Sequence, residues 1–153
     1  MDALSAIRNF RLVLVDDDDS IRAALNYHFR KKKVAMISFG SGEEALDHLR
    51  QFHADIVITD YYLPGINGMQ FIRELNNIRP GVIKILMTAY GTLDIAVEAI
   101  RAGVHDFIRK PFNTETLELT ILSVMRRVRP DFNRVSPDGG GGGKLNGVIR
   151  SNN

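Results

Sequence analysis

Short apolar runs and segments of helical period alternate along this chain. The runs are Arg11 to Asp16, Val34 to Phe39, Asp55 to Asp60, Val82 to Met87 and Val104 to Arg109. Most are continuous rather than alternating, as strands buried on both faces should be, and their alternation with helices predicts an α/β domain around a parallel sheet. Between the runs the period lengthens to that of a helix. Ile21, Leu25 and Phe29 share one face of the first helix; Ser41 and Glu44 have capping-box spacing ahead of Ala45, Leu46 and Leu49; Phe71, Ile72 and Leu75 follow an Asn67 cap. The fourth helix is expected to begin near Thr92 with Ile95, Ala96 and Ile100 on its apolar face. The fifth should follow Pro111, with Asn113 as its cap and Leu117, Ile121, Val124 and Val128 as its stripe.

Pro130 ends that periodicity. Composition then shifts to Ser136-Pro137-Asp138 and the glycines 139 to 143, a stretch that cannot pack a core. The organisation expected is an N-terminal extension over 1–8, one domain over 9–128, and a flexible Gly-rich tail or linker over 129–153. A chain of 153 residues, 44% of them apolar, supports one core of that size. The absence of cysteine excludes a disulfide framework and a thiolate metal site, and is compatible with a reducing cytoplasm. No run approaches the ~18 apolar residues of a membrane span, and no signal-peptide core opens the chain, so a soluble cytoplasmic protein without membrane contact is expected.

Charge alters the picture at one place. The overall formal charge is only +2, yet "LVLVDDDDSIR" sets Asp16, Asp17, Asp18 and Asp19 directly against an apolar run. At ~4 Å and an effective dielectric near ~20, each such pair repels by ~4 kcal/mol, so the cluster needs a cation, protons or water. In parallel α/β sheets ligands bind beyond the carboxyl ends of the strands. Asp16 and Asp17 close the first run, Asp60 the third and Thr88 the fourth, and Lys110 follows the fifth. Each alone reads as a turn, cap or solvated residue. Together they form a constellation on one edge.

The motifs "VDDDDSIR", "ITDYYLPGINGM", "ILMTAYG" and "DFIRKPF", in that order, resemble the receiver domain of two-component response regulators over about residues 9 to 128. The stretch "TAYGTLDIAVEAIRAGVHDFIRKPF" looks most like receivers of the nitrogen-regulation type, which usually precede an ATPase and a helix-turn-helix in transcription regulators. The resemblance implies a flavodoxin-like, doubly wound five-stranded parallel sheet in the order 2-1-3-4-5 with five helices. That order would set the first strand's carboxylates beside Asp60, Thr88 on its other side, and Lys110 about 10 Å away, within a lysine's reach.

An all-oxygen pocket of this kind suits Mg²⁺. By resemblance, Asp17, Asp60 and the backbone carbonyl of Tyr62 would bind the metal directly and Asp16 mainly through water. Asp60 would be the nucleophile and phosphorylation site, receiving a phosphoryl group from the phosphohistidine of a sensor histidine kinase or phosphotransfer protein. Mg²⁺, Lys110 and Thr88 would bind the three phosphoryl oxygens. No GxxxxGK[ST] loop is present, which argues against ATP as direct donor. The domain would be a phosphoacceptor catalysing only its own phosphorylation and dephosphorylation. Asp18 and Asp19 fall outside the family's pocket, with Asp19 or Ser20 expected to cap the first helix.

The resemblance also makes Phe107 a switch residue coupled to Thr88, although a plain core aromatic explains it equally well. It implies a cis peptide at Lys110–Pro111 and places Tyr62 and Tyr90 beside the phosphoryl group. It assigns the fourth helix, fifth strand and fifth helix to an output face, with Asp94, Glu98, Arg101 and Arg109 as homodimer contacts or ordinary solvated charge.

Two rival readings stand beside this one. Asp16-x-Asp18-x-Ser20 is similar to the nucleophile motif of haloacid-dehalogenase-type phosphatases, with Asp16 and Asp18 as the reacting pair, but that leaves Asp60 and "LPGINGM" without a role. The other is a receiver-like interaction module that is never phosphorylated. A calcium loop fails because Ile21 stands where glycine is required, and a flavin phosphate would be repelled by the acidic cluster. The basic run Arg30 to Lys33 sits at a helix C-terminus, where cations are favoured anyway, so no nucleic-acid contact is expected.

Overall fold

The apolar runs pair into one parallel sheet because each carries side chains for two cores. In the computed structural model, which describes residues 3–131, the strands are β1 (Arg11–Val15), β2 (Ala35–Phe39), β3 (Ile56–Asp60), β4 (Ile83–Thr88) and β5 (Asp106–Arg109). The helices are α1 (Asp19–Lys31), α2 (Gly42–Gln51), α3 (Gly68–Ile78), α4 (Leu93–Arg101) and α5 (Thr114–Val128). The strand order is β2-β1-β3-β4-β5, the flavodoxin-like arrangement.

Successive side chains of a strand face opposite ways. Leu12 and Leu14 of β1, Ile56 and Ile58 of β3, and Ile83 and Ile85 of β4 therefore pack with Leu25 and Phe29 of α1 and Leu117 and Ile121 of α5. Val13, Val15, Val57 and Leu86 pack on the other side with Leu46 and Leu49, Phe71 and Leu75, and Ile95. Strands β3 and β4 are buried throughout, whereas the edge strand β2 is only partly covered.

Several local expectations shift by a residue or two. The N-cap of α1 is Asp18, not Asp19 or Ser20: its Oδ1 accepts the backbone N–H groups of Ser20 at 2.8 Å and Ile21 at 3.3 Å. The reciprocal capping box forms at Asn67 and Gln70 of α3. At Ser41 the hydroxyl accepts the Glu44 N–H at 3.3 Å. Helix α4 buries Ile95 and Ala99 and leaves Ile100 67% exposed, because the contact face lies one residue round from the expected stripe. Val128 is likewise exposed, and the α5 core face is Leu117, Ile121, Leu122, Val124 and Met125. Val104 belongs to the turn closing α4, its N–H reaching Ala99 O at 3.0 Å, so β5 starts only at Asp106.

A short 3₁₀ helix, Ala3–Ile7, precedes β1, and its Leu4 and Ile7 are fully buried in the core that contains α5. The Gly-rich stretch 139 to 143 lies outside the described residues. Among the described residues no helix is long and apolar enough to cross a membrane.

Candidate functional site

The carboxyl ends of β1, β3 and β4 and the residue after β5 deliver their polar groups to one small volume. Asp16 directly follows β1 and is fully buried, with its N–H donated to Phe39 O at 3.1 Å. Asp60 ends β3 and is 7% exposed. Lys110 Nζ lies 2.6 Å from Asp16 Oδ2 and 2.6 Å from Asp60 Oδ2, so one ammonium bridges both carboxylates. Asp16 Oδ1 accepts the Asp18 N–H at 2.9 Å, and Asp60 Oδ1 accepts the Tyr62 N–H at 3.3 Å. Asp17 is exposed, yet one carboxylate oxygen from each of Asp16, Asp17 and Asp60 lies within 4.8 Å of the others. Thr88, 4% exposed, ends β4 and its Oγ1 accepts the Tyr90 N–H at 3.1 Å. The Lys110 N–H donates to Thr88 O at 3.0 Å, and the Lys110–Pro111 peptide is cis.

Burial and charge pull in opposite directions here. Desolvation pushes the Asp60 carboxyl above its ordinary value, the Lys110 hydrogen bond and charge oppose this, and the Asp16 charge adds to the rise. For Lys110, burial works against the charged form, but hydrogen bonds and charges from both Asp16 and Asp60 outweigh it and its pKa rises. The difference is one of counting: the lysine meets two anions, whereas the two anions share one lysine.

The loop after β3 is shaped by what it must clear. A Cβ at Gly68 would fall 2.2 Å from Asp60 O, so the first turn of α3 lies directly against the backbone of Asp60, and the Gly68 N–H donates to Tyr61 O at 2.7 Å. Gly65, at φ +73°, supplies the left-handed turn. Glu43 of α2 fastens this loop by accepting the Ile66 N–H at 2.8 Å, and that backbone bond holds the Glu43 carboxyl below its ordinary value.

Around the rim, Tyr62 and Tyr90 are 50% and 70% exposed and their rings meet edge-on at 5.9 Å, joining the loops after β3 and β4. Phe107 is half-buried and shares a cleft of about 430 Å³ beneath α4 with Thr88. Asp94, Arg101 and Arg109 are exposed, whereas Glu98 is engaged with Arg73 of α3.

Asp16, Asp17, Asp60, Thr88 and Lys110 are thus brought together. Asp18 is taken up as a helix cap and Asp19 pairs with Arg22. Two residues without an assigned role in the sequence, Arg22 and Glu43, brace the loops that carry the carboxylates. The donor set is entirely hard oxygen, with an exposed carboxylate at its mouth. It fits Mg²⁺, which takes one or two carboxylates and retains several waters.

The sequence profile of the response regulator receiver domain matches residues 12–122. Among individual proteins, the chain is 38% identical over 104 residues to the C4-dicarboxylate transport transcriptional regulatory protein DctD of Rhizobium meliloti (strain 1021), covering 68% of this chain and 23% of that protein. It is 34% identical over 102 residues to the DNA-binding transcriptional regulator NtrC of Klebsiella pneumoniae, covering 67% and 22% respectively. It spans about a quarter of the length of these relatives. A solved receiver domain protein (CheY-like) from Methanospirillum hungatei JF-1 superposes with a TM-score of 0.75 over 80% of this chain and 98% of that one, at 24% identity, which supports the fold.

Proposed function

We propose, from the premise that this chain belongs to the response regulator receiver domain family of two-component systems, that Asp60 accepts a phosphoryl group in a Mg²⁺-dependent transfer and that the product alters the face built from α4, β5 and α5. The observation that carries the proposal is the single Lys110 ammonium at 2.6 Å from both the Asp16 and Asp60 carboxylates, with Asp17 beside them.

Phosphoryl transfer asks the protein mainly for an in-line nucleophile and for charge compensation on the equatorial oxygens. Asp60 is the nucleophile: an oxygen of its carboxylate forms a bond to phosphorus as the bond from phosphorus to the donor's histidine nitrogen breaks; the bonding pair stays on that nitrogen, and a proton on the ring's other nitrogen makes the leaving group a neutral imidazole. The phosphohistidine belongs to a sensor histidine kinase or phosphotransfer protein. Asp17, Asp60 and the Tyr62 carbonyl would hold Mg²⁺ directly and Asp16 mainly through water, and the ion would supply charge neutralisation for the phosphoryl group. Lys110 follows the negative charge from the Asp60 carboxylate to one phosphoryl oxygen. Thr88 Oγ1, which accepts from the Tyr90 N–H, retains its own hydrogen for another. Movement of Thr88 opens or closes the cleft it shares with Phe107, giving that ring its role as a switch. Asp94, Arg101 and Arg109, on the exposed side of that region, are the contacts of a homodimer, while Glu98 serves the domain through Arg73. The reaction belongs in the cytoplasm. Incubation with acetyl phosphate and Mg²⁺ followed by peptide mass spectrometry should place one phosphoryl group on Asp60; no adduct at saturating Mg²⁺ would overturn the reading.

The metal assignment predicts unequal effects within the acidic run. Asp17→Ala should weaken Mg²⁺ by about tenfold or more, whereas Asp18→Asn and Asp19→Asn should change it by less than about twofold, since neither side chain serves the pocket. Asparagine keeps the helix cap at position 18. Calorimetric titration of the three variants decides the point, and equal losses would contradict the assignment.

Lifetime of the acyl phosphate depends on access of water in line with the phosphorus. The edge-on pair of Tyr62 and Tyr90 is placed to obstruct that approach. Changing both to Ala should speed decay by about threefold or more at saturating Mg²⁺ with no donor present. An unchanged or slower decay would show that the rings do not shield the site.

A further inference from the structure

Asp17 is the one acidic residue of the pocket whose carboxylate receives no hydrogen bond from any described residue, and it is exposed. Its direction therefore has to come from its backbone. Three groups flanking it are held. The Asp16 N–H donates to Phe39 O at 3.1 Å, the Asp18 N–H donates to Asp16 Oδ1 at 2.9 Å, and Arg22 Nη1 donates to Asp16 O at 2.6 Å. The last contact matters most. A carbonyl oxygen and the next residue's Cα lie in one rigid peptide plane, so a grip on Asp16 O sets where the Asp17 Cα stands.

The guanidinium is itself seated. Its other nitrogen, Nη2, pairs with Asp19 Oδ1, and the side chain is 22% exposed. A Cβ at Gly40 would lie 3.2 Å from Nη1, the nitrogen that grips Asp16 O, so the turn after β2 is pared to backbone where the arginine passes. We infer that Arg22 is a positioning residue for the cation site, orienting the Asp16–Asp17 peptide so that the Asp17 carboxylate faces Asp60. This rests on the proposal that Asp17 binds Mg²⁺.

The inference has a sign that simple electrostatics does not share. A guanidinium beside a divalent site repels the metal, so on charge alone Arg22→Met should tighten Mg²⁺ binding. A positioning role requires the opposite. Arg22→Met, which keeps an apolar stem, should weaken Mg²⁺ by about tenfold, the scale of a lost outer-shell partner. Arg22→Lys keeps the charge but not the planar fork and should also bind more weakly. Asp19→Asn leaves the grip on Asp16 O in place and should stay within about twofold.

The test uses the full chain: calorimetric Mg²⁺ titration, amide hydrogen exchange of the metal-free protein in chelator, and urea unfolding. Weaker Mg²⁺ binding in Arg22→Met, with faster exchange at Asp16 and Asp18, whose N–H groups are the bonded ones, and an unfolding midpoint close to that of the unaltered chain, supports the inference. Equal or tighter Mg²⁺ binding overturns it, as does unchanged exchange at those amides, or a metal loss that merely tracks global destabilisation. If the unaltered chain binds no Mg²⁺, or Asp17→Ala binds it equally well, the cation-site reading itself fails. The exchange data still report whether Arg22 holds the peptide.

Discussion

Asp60→Asn protein is expected to take up no phosphoryl group from acetyl phosphate at any Mg²⁺ concentration, and yet to unfold at a higher urea concentration than the parent chain. The first half follows from chemistry: an amide is not a nucleophile toward phosphorus, and among the described residues no other carboxylate has Lys110, Thr88 and the acidic pair around it together. Persistent labelling at Asp16 or Asp18 would favour the phosphatase reading of the acidic run. The second half follows from linkage. The Asp60 carboxyl is held above its ordinary value of 3.8, chiefly by burial. Over the interval between its unfolded and folded values the native state therefore binds more protons than the unfolded chain, and stability falls as pH rises through the folded value. Asparagine removes that ionisation while leaving an oxygen for Lys110. The gain should be present at neutral pH and vanish as the pH falls below about 4, where the carboxyl is neutral in both states. Urea titrations at the two pH values, alongside mass spectrometry, check both halves.

Lys110→Met should have the opposite effect on stability. It leaves Asp16, fully buried, and Asp60, nearly so, facing each other without their shared cation. Breaking a fully buried ion pair costs about 3–5 kcal/mol; here the lysine is 16% exposed and water can enter, so a loss of about 2–3 kcal/mol is expected at pH 7. Acidification should recover part of the loss. Removing the lysine removes the two largest influences that lower the Asp60 pKa, leaving only the Tyr62 N–H to oppose burial and the Asp16 charge, so one carboxyl protonates readily and the repulsion ends. In the parent chain the sign at the lysine is different. Its pKa is raised, so its contribution is complete below its ordinary value of 10.5 and is lost only as pH climbs through the folded value. A variant that is equally stable at pH 5 and pH 7, or no less stable than the parent at pH 7, would show that the bridge carries little weight.

The strands were legible because a parallel sheet covered on both faces demands unbroken apolar runs, and few other structures do. Their order was not: it entered through motif resemblance, since nothing in the period of a strand names its neighbour. The constellation at Asp16, Asp17, Asp60, Thr88 and Lys110 was legible for a related reason, that chemistry in such sheets collects at strand ends. Faces of short helices were read less well. Ile100 outranks Ala99 in hydrophobicity, yet the face that α4 turns inward carries the small residue and leaves the large one out. The cap of α1 lies one or two residues before the expected Asp19 or Ser20 because a run of four aspartates offers several capping side chains, and the choice falls to the one whose backbone is extended, Asp18. Arg22 and Glu43 had no visible role, since each acts across a gap between turns that adjoin only after folding. Gly68 could be recognised as a glycine in a loop. That its missing Cβ makes room for the carbonyl of Asp60 is a fact of three dimensions.

That clearance has a mechanical consequence. With 2.2 Å between Asp60 O and the place where a side chain would begin, there is no slack between the end of β3 and the head of α3. The two are further tied by the Gly68 N–H on Tyr61 O, and by the capping box that stiffens the first turn of the helix. A load applied at the Asp60 backbone in that direction is therefore transmitted along α3 as through a strut. It emerges where Arg73, about a turn and a half from the helix start, pairs with Glu98 of α4. Asp60 and the fourth helix are thus connected through α3, by backbone contact at one end and by a side-chain ion pair at the other.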